Sequence, residues 1–274
     1  MAGDVRLSCF AAPWGRDGSI NAITEVADCG YEGLEFPAEV VQRFEDRLHV
    51  FEEILDTTGL KLSGLLQNVN LVDKDKADEQ VERAANSARF AGATGRGNLV
   101  VCHSEPLESP LQDDDWLTVG AILEEIGTRC QDFGISLCFM PKARRLIEGD
   151  KDLRKLMAMT NPDVVSLAVD TAELTLLDMD PAKVIKTYGS RVKTIRFRDV
   201  SGSKKRAEAT SSRPGSAPQF GRGAVKFDAV SKAIIDTKYD GWITVDITGE
   251  ATQPKEAALA GYRFVMRKSG LYPY

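Results

Sequence analysis

The sequence predicts an α/β protein in which eight strand–helix units close into a single (β/α)₈ barrel. Three observations support this fold class. The chain has 274 residues with 43% hydrophobic content, which suits one large domain with a closed core. Short apolar runs alternate with segments of 3.6-residue periodicity, which is typical of repeated βα units and a parallel sheet. Parallel strands need crossover helices, and a closed TIM barrel needs eight such units in about this length.

Eight apolar runs provide the predicted strands. In chain order they span residues 6–10, 33–36, 61–65, 99–102, 135–139, 165–169, 194–197 and 242–247. An open, doubly wound sheet is the alternative fold, since it also alternates strands with helices. It is disfavoured because no Gly-x-Gly-x-x-Gly motif follows the first strand.

The clearest helix is predicted directly after three consecutive aspartates at 113–115. Apolar side chains recur there at spacings of three and four, at Trp116, Val119, Leu123, Ile126 and Cys130. The acidic start suits a helix N-terminus, and Phe133-Gly134 supplies the stop before the next strand. Comparable apolar stripes begin near residues 51, 81, 184, 227 and 258, and each predicts a helix face packed on the sheet.

Charge and composition exclude several function classes. The net charge of -6 argues against a nucleic-acid-binding surface spread over the protein, because phosphate neutralisation needs a basic face. No window approaches the roughly 18 apolar residues of a membrane span, and no apolar signal run follows the N-terminus. Five cysteines without CxxC spacing indicate buried thiols in a reducing compartment. We therefore expect a cytoplasmic protein without nucleic-acid or membrane partners.

One long irregular segment runs from residue 201 to 223. It is rich in Ser, Gly and Pro, and its five basic residues against one Glu give a local net charge of +4. It follows the seventh strand, at the C-terminal face where barrel active sites are built. Loops longer than about 12–15 residues are usually functional or disordered, so the segment is either a lid or a tolerated insertion. The predicted organisation is one barrel domain over 1–274 that carries this basic loop.

Five motifs, in order along the chain, carry a resemblance to a known family. They are Gly30-Tyr-Glu-Gly-Leu-Glu35, Asp170-Thr-Ala-Glu-Leu174, Arg191-Val-Lys-Thr-Ile-Arg-Phe-Arg-Asp199, Phe220-Gly-Arg-Gly-Ala-Val-Lys-Phe227 and Tyr239-Asp-Gly-Trp-Ile-Thr-Val-Asp246. Together they resemble the xylose isomerase-like TIM-barrel superfamily, and within it the sugar phosphate isomerase/epimerases and inosose dehydratases. The resemblance implies an isomerase, epimerase or lyase that acts on a small polyhydroxy substrate, and it is compatible with a homodimer.

The resemblance also implies a divalent-metal site at the strand ends, held by carboxylates and a histidine, with further histidines for substrate hydroxyls. Carried over position by position, the histidines near the fifth strand fall on Met140 and Lys142. The aspartate after the sixth strand is kept as Asp170, while its histidine becomes Glu173.

The seventh and eighth strands depart further from the family pattern. The histidine of the seventh strand becomes Arg196, while Asp199 is kept. The glutamate of the following loop becomes Arg222, and the last carboxylate is shortened to Asp246. Because only Asp170 and Asp199 keep the family residue, the metal site is predicted to be degenerate.

Arg196 decides the metal prediction. A guanidinium stays protonated and cannot ligate, so this exchange removes a ligand and adds a positive charge. Two unit charges about 4 Å apart repel by about 4 kcal/mol at an effective dielectric of 20, before the divalent charge is counted. Lying among Asp170, Glu173 and Asp246, the arginine can satisfy these carboxylates through forked hydrogen bonds. We predict no cofactor; Mn²⁺ or Mg²⁺ on these three carboxylates is the alternative if the ligands are rearranged.

Three functions remain open from the sequence. The first is a metal-free enzyme that abstracts a proton next to the carbonyl of a sugar, cyclitol or similar compound. Glu173 or Asp246 would be the base, and Arg196, Lys142 or Arg198 would stabilise the enediolate. The second is a non-catalytic barrel that binds a sugar-like or anionic ligand or a protein partner. The third is a metal-dependent isomerase or dehydratase with rearranged ligands.

Other residues at or near the strand ends are predicted to contact substrate. Glu35 ends the second strand, His103 follows the fourth, and Trp14 follows the first. Each also has a structural interpretation, as an internal salt-bridge partner, a hydrogen-bonded rim residue and a packing residue respectively. The predicted substrate-binding set is completed by Asp170, Arg198 and Arg222.

Overall fold

A closed barrel of eight parallel strands, arranged in sequence order, forms the centre of the protein. The structure is a computed structural model that describes residues 3–95, 97–201, 218–249 and 253–272. The strands are β1 Val5–Phe10, β2 Gly33–Pro37, β3 Lys61–Val69, β4 Asn98–His103, β5 Ser136–Phe139, β6 Val165–Asp170, β7 Val192–Phe197 and β8 Gly241–Val245. Every predicted apolar run forms a strand, so the predicted single-domain (β/α)₈ barrel is confirmed.

Ten α-helices lie in the described part of the chain and cover the barrel. They are α1 Ser19–Asp28, α2 Val40–Phe44, α3 Leu48–Thr58, α4 Ala77–Ala93, α5 Asp113–Asp132, α6 Asp150–Met159, α7 Thr171–Leu176, α8 Pro181–Tyr188, α9 Phe227–Asp236 and α10 Pro254–Lys268. None of these helices combines the length and the apolar character that crossing a membrane requires.

Helix α5 forms where the aspartate run and the apolar stripe predict it. A reciprocal capping box starts it, in which the backbone amide of Gln112 donates to Asp115 Oδ2 at 2.9 Å. The predicted stripe from Trp116 to Cys130 is buried against the barrel. Gly134 follows the helix with φ +69°, a left-handed conformation that glycine adopts without strain.

The core has an outer and an inner part. The outer part fills the space between strands and helices, and its apolar side chains form one continuous cluster. The inner part is a small cluster inside the barrel, made of Val100, Cys102, Cys138, Met140 and Ala168. All five cysteines of the chain are buried and none forms a disulfide, as their spacing predicted.

The carboxyl ends of the strands carry the charged residues of the barrel mouth. Glu35 lies in β2, Asp170 ends β6, Arg196 lies in β7, and Asp246 directly follows β8. The register shifts between Leu34 and Glu35 on β2, and again between Leu167 and Ala168 on β6. Such irregularities re-aim side chains at barrel rims. Residues 202–217 of the predicted loop at 201–223 lie outside the described part of the chain. The two predictions for this loop, a lid or a tolerated insertion, therefore both stay predictions.

Candidate active site

The first charged group at the mouth, the Arg196 cluster, consists of Arg196, Glu35 and Asp246. Arg196 Nη1 donates to Asp246 Oδ2 at 3.1 Å, and Nη2 donates to Glu35 Oε1. All three side chains are almost completely buried. The guanidinium carbon also lies 4.1 Å from the ring centroid of Phe10, a cation–π contact. One arginine therefore joins the ends of β1, β2, β7 and β8.

The remaining carboxylate oxygens of the Arg196 cluster are also satisfied. Thr244 Oγ1 donates to Glu35 Oε2 at 3.3 Å, and Asp246 Oδ1 accepts from the amide of Thr248 at 2.8 Å. Although burial opposes it, the positive charge of Arg196 lowers the pKa of Asp246 below its ordinary value. Asp246 is therefore a charged and weakly basic group at neutral pH.

The second group, the Arg198 cluster, consists of Arg198, Asp170 and Glu173. Arg198 Nη2 donates to Glu173 Oε1 at 2.5 Å, and Glu173 Oε2 accepts from the amide of Ala143 at 2.9 Å. Asp170 Oδ1 caps α7 by accepting from the amides of Ala172 and Glu173, both at 2.9 Å. Arg198 Nε is 3.7 Å from Asp170 Oδ2, and within the described structure this nitrogen has no hydrogen-bond partner.

Burial and neighbouring charges shift the pKa values of Asp170 and Arg198 in the Arg198 cluster. Burial raises the pKa of Asp170 to about 7, and the carboxylates of Glu173 and Asp246 add to this shift against the opposing charge of Arg198. Although burial alone would lower it, the neighbouring carboxylates raise the pKa of Arg198. Arg198 is therefore a fixed cation, whereas Asp170 exchanges a proton near neutral pH.

Two cations lie next to these clusters in the loop after β5. Lys142 and Arg145 are half-buried and act electrostatically on the thiol of Cys102. Among the described residues neither of them forms a hydrogen bond or an ion pair. The two clusters together hold four carboxylates and two arginines, so Lys142 and Arg145 balance the excess negative charge and keep their donors available.

Three predicted substrate-binding residues lie apart from the clusters. His103 is 2% exposed, its Nδ1 accepts from the amide of Leu71 at 3.1 Å, and burial lowers its pKa. Trp14 Nε1 donates to Glu25 Oε2 at 2.7 Å and its ring packs against the core. Arg222 is exposed and lines a cavity against α10. The structure thus brings together Glu35, Asp170, Glu173, Arg196, Arg198 and Asp246, with Lys142 beside them.

Asp199, the other aspartate kept from the family pattern, holds a turn. Its buried carboxylate accepts from the amides of Gly221 at 2.9 Å, Gly223 at 2.8 Å and Val225 at 3.2 Å, and also from that of Val200. These four donors engage both oxygens of the carboxylate. Asp199 fixes the segment between β7 and α9.

Asp199→Ala is expected to destabilise the protein by about 2–3 kcal/mol, because four backbone amides would lose a shared, buried acceptor. Urea unfolding measures this change, and hydrogen exchange should accelerate at Gly221 and Gly223. Asp180→Ala removes a comparable acceptor at the exposed start of α8 and should cost only about 1 kcal/mol. Equal losses in the two variants would contradict this role of Asp199.

The donor set at the mouth does not fit the divalent metal that the family resemblance implies. Met140 is buried in the apolar inner cluster, and Lys142 and Arg196 are cations. Arg196 already engages Glu35 and Asp246, two of the nearby carboxylates. Across residues 3–95, 97–201, 218–249 and 253–272, no three or more His, Cys, Asp or Glu side chains are arranged to hold an ion.

Sequence reasoning missed three contributors to the mouth: Phe10, Thr244 and Arg145. Side chains two residues apart along a strand point to the same side, so the position of Asp246 carried a signal for Thr244. Thr244 Oγ1 lies 2.8 Å from Ser8 Oγ and links it to Glu35. Arg145 lies in an irregular loop, where no periodicity predicts which way a side chain points.

A cavity of about 550 Å³ lies beside the clusters rather than inside them. It is bordered by the loops that follow β1 and β2, and its lining includes Ala11, Phe36, Arg16, Gln42 and Arg43. Ala11 and Phe36 directly follow Phe10 and Glu35, so strand alternation turns them away from the barrel interior. The chemistry of the mouth is therefore better judged from its hydrogen bonds than from the position of this cavity.

The fold and the mouth define the class of this protein: a closed (β/α)₈ barrel with its ionisable residues gathered at the carboxyl ends of the strands. More particularly, the chain belongs to the xylose isomerase-like TIM barrel family, whose model matches residues 23–268.

Three comparisons illustrate this membership. The inosose dehydratase of Lacticaseibacillus casei is 27% identical over 266 residues, which cover 89% of this chain and 87% of that protein. The IOLI protein, whose crystal structure contains a zinc atom, has a TM-score of 0.82 at 13% identity, covering 98% of this chain and 99% of that one. The probable 3-DHS dehydratase AsbF of Bacillus anthracis has a TM-score of 0.81 at 11% identity, covering 96% and 99%. The two structural likenesses establish the fold alone.

Proposed function

We propose that this barrel abstracts and returns a proton next to the carbonyl of a sugar, cyclitol or similar polyhydroxy compound, with arginines in place of a divalent metal. Relatives named as inosose dehydratases support the substrate class. The observation that carries the proposal is the facing pair of Arg198 Nε and Asp170 Oδ2, 3.7 Å apart. In the described part of the chain this Nε has no hydrogen-bond partner, and it lies opposite a carboxylate that titrates near neutral pH.

The facing pair suits enediolate chemistry. Asp170 would take the proton from the carbon next to the carbonyl, and the electron pair of that bond would form the enediolate. Arg198 would stabilise the developing oxyanion by a charge-assisted hydrogen bond. Return of the proton to a neighbouring carbon or to the other face gives isomerisation or epimerisation. Its transfer to a departing hydroxyl gives dehydration, with water as the second product.

The other predicted catalytic residues take supporting roles in this proposal. Both oxygens of Glu173 and both of Asp246 already accept hydrogen bonds, which favours Asp170 over them as the base. Glu173 and Asp246 would position the two arginines. Lys142 and Arg145, half-buried and without ion-pair partners among the described residues, would bind oxygen atoms of the substrate at the rim.

The test is deuterium exchange in D₂O, followed by proton NMR with inososes and ketoses, with and without EDTA. We expect uptake of deuterium next to the carbonyl that EDTA does not change. Asp170→Asn should slow it by about 10²–10⁴-fold, as expected for loss of a general base. Asp180→Asn is the matched control, since Asp180 caps α8 as Asp170 caps α7. Activity that EDTA abolishes and Mn²⁺ restores would refute the metal-free mechanism.

A non-catalytic, ligand-binding barrel is the second candidate. The observation that favours it is the burial of the clusters: Glu35, Asp170 and Asp246 are 2–3% exposed and Arg196 is 5% exposed. Ion pairs that only fill a former metal site would give the same arrangement. Saturable binding of an inosose or ketose by calorimetry, without deuterium exchange, would support this candidate over the enzyme.

A further inference from the structure

A basic cavity of about 280 Å³ lies on the outer side of the barrel, between the turn after β7 and helix α10. We call it the α10 cavity. Its lining is Gln219, Phe220, Arg222, Ala260, Arg263, Phe264 and Arg267. None of these residues belongs to the Arg196 or Arg198 cluster, so the cavity is separate from the candidate active site.

Three guanidinium groups line the α10 cavity, and no carboxylate of the described residues does. Arg263 and Arg267 are one helical turn apart on α10. Arg222 adds a third positive charge from the opposite side. This concentration is unusual in a chain with a net charge of -6. A bound anion would balance the charges of Arg222 and Arg263, which gives the cavity a preference for negatively charged ligands.

The arginine from the β7 side is presented by a fixed turn. Asp199 accepts from the amides on both sides of Arg222, those of Gly221 and Gly223. Gly221 has φ +76°, and a Cβ there would meet the ring of Phe264 at 2.6 Å. Because the turn is held from inside and packed against α10, Arg222 is directed to the cavity without a large ordering cost.

We propose that the α10 cavity binds the phosphate group of a small phosphorylated molecule, with Arg222 and Arg263 as its principal ligands. A guanidinium group can donate two hydrogen bonds to the oxygens of one phosphate. Two guanidinium groups at one cavity suit a doubly charged phosphate better than a singly charged carboxylate ligand. The rings of Phe220 and Phe264, with centroids 5.7 Å apart, offer an apolar wall for the rest of the molecule. This site is independent of the proposed reaction at the mouth.

Inorganic phosphate and pyrophosphate are the probes, titrated by calorimetry into the full chain at constant ionic strength held with KCl. We expect saturable binding that is at least tenfold weaker in Arg222→Gln/Arg263→Gln. Arg129→Gln is the matched control, because Arg129 is an exposed helical arginine paired with Glu125 on α5. The control should bind both probes as the wild type does.

A second measurement protects the test against misfolding of the double variant. Urea midpoints of all three proteins without ligand should agree, since Arg222 and Arg263 are exposed. With wild-type protein, pyrophosphate should raise the midpoint and equal ionic strength of KCl should not. Binding that is equally strong in the double variant and the wild type would overturn the proposal, and so would the absence of saturable binding to both probes.

Discussion

Arg196→Met is expected to lower the free energy of unfolding by about 3–5 kcal/mol, because removing one partner of a buried ion pair leaves uncompensated charge. Glu35 and Asp246 would remain buried with their oxygens facing an apolar side chain in place of two N–H donors. The contact with the Phe10 ring would also change from cation–π to dispersion. Urea unfolding monitored by circular dichroism measures the loss.

Two further variants make the cause of this loss specific. Arg154→Met removes an exposed arginine that pairs with Asp150 on α6, and should cost no more than about 0.5 kcal/mol. The triple variant Arg196→Met/Glu35→Gln/Asp246→Asn should recover much of the stability, since it leaves no charge unpaired. If the free energy of unfolding of Arg196→Met lies within about 1 kcal/mol of the wild-type value, the arginine does not hold the mouth together.

The fold was predictable because hydrophobic periodicity is a local property that burial imposes. Each strand of the barrel is covered on both sides and appears as an apolar run, so all eight were found. The predicted positions of the strand ends were less accurate. β3 continues from the predicted end at Leu65 to Val69, because Gln67 and Asn68 interrupt the apolar run while the backbone pairing with β4 continues. Pairing with a neighbouring strand depends on geometry that a local window does not contain.

The candidate site was predictable in its residue types but not in its pairing. Strand-end positions identified both arginines and all four carboxylates of the two clusters. The prediction that Arg196 lies among Asp170, Glu173 and Asp246 was only partly right. It holds Asp246 together with Glu35, while Arg198 takes Asp170 and Glu173.

The difference between the predicted and the observed partners of the two arginines has a geometric cause. Arg196 lies in β7 and Arg198 directly follows that strand, two residues further on, so the two side chains project toward the same side. Which neighbour each reaches depends on the register between β6 and β7, and that register shifts between Leu167 and Ala168. A one-residue irregularity in a paired strand leaves no trace in the hydrophobic pattern, so only the folded barrel reveals the partners.

Asp170→Asn is expected to remove most of a pH dependence of stability between pH 5 and 8. Burial raises the pKa of Asp170 from 3.8 to about 7, so the folded state keeps a proton that the unfolded state has already lost. Stabilisation from this group is complete below its ordinary pKa and is lost as the pH rises through the raised one. The wild type should therefore lose about 2–3 kcal/mol relative to Asp170→Asn as the pH rises from 5 to 8, at about 1.4 kcal/mol for each pH unit between 5 and the raised pKa.

Asp246→Asn supplies the control for this titration from the same mouth. The pKa of Asp246 is lowered, so its contribution is present above its ordinary pKa and declines only in stronger acid. The stability difference between wild type and Asp246→Asn should consequently stay constant from pH 5 to 8, while the difference for Asp170→Asn changes. Protonation of His103 is common to all three proteins and cancels in these differences. Parallel pH profiles for wild type and Asp170→Asn would mean that Arg198 and the two backbone amides keep Asp170 charged throughout this range.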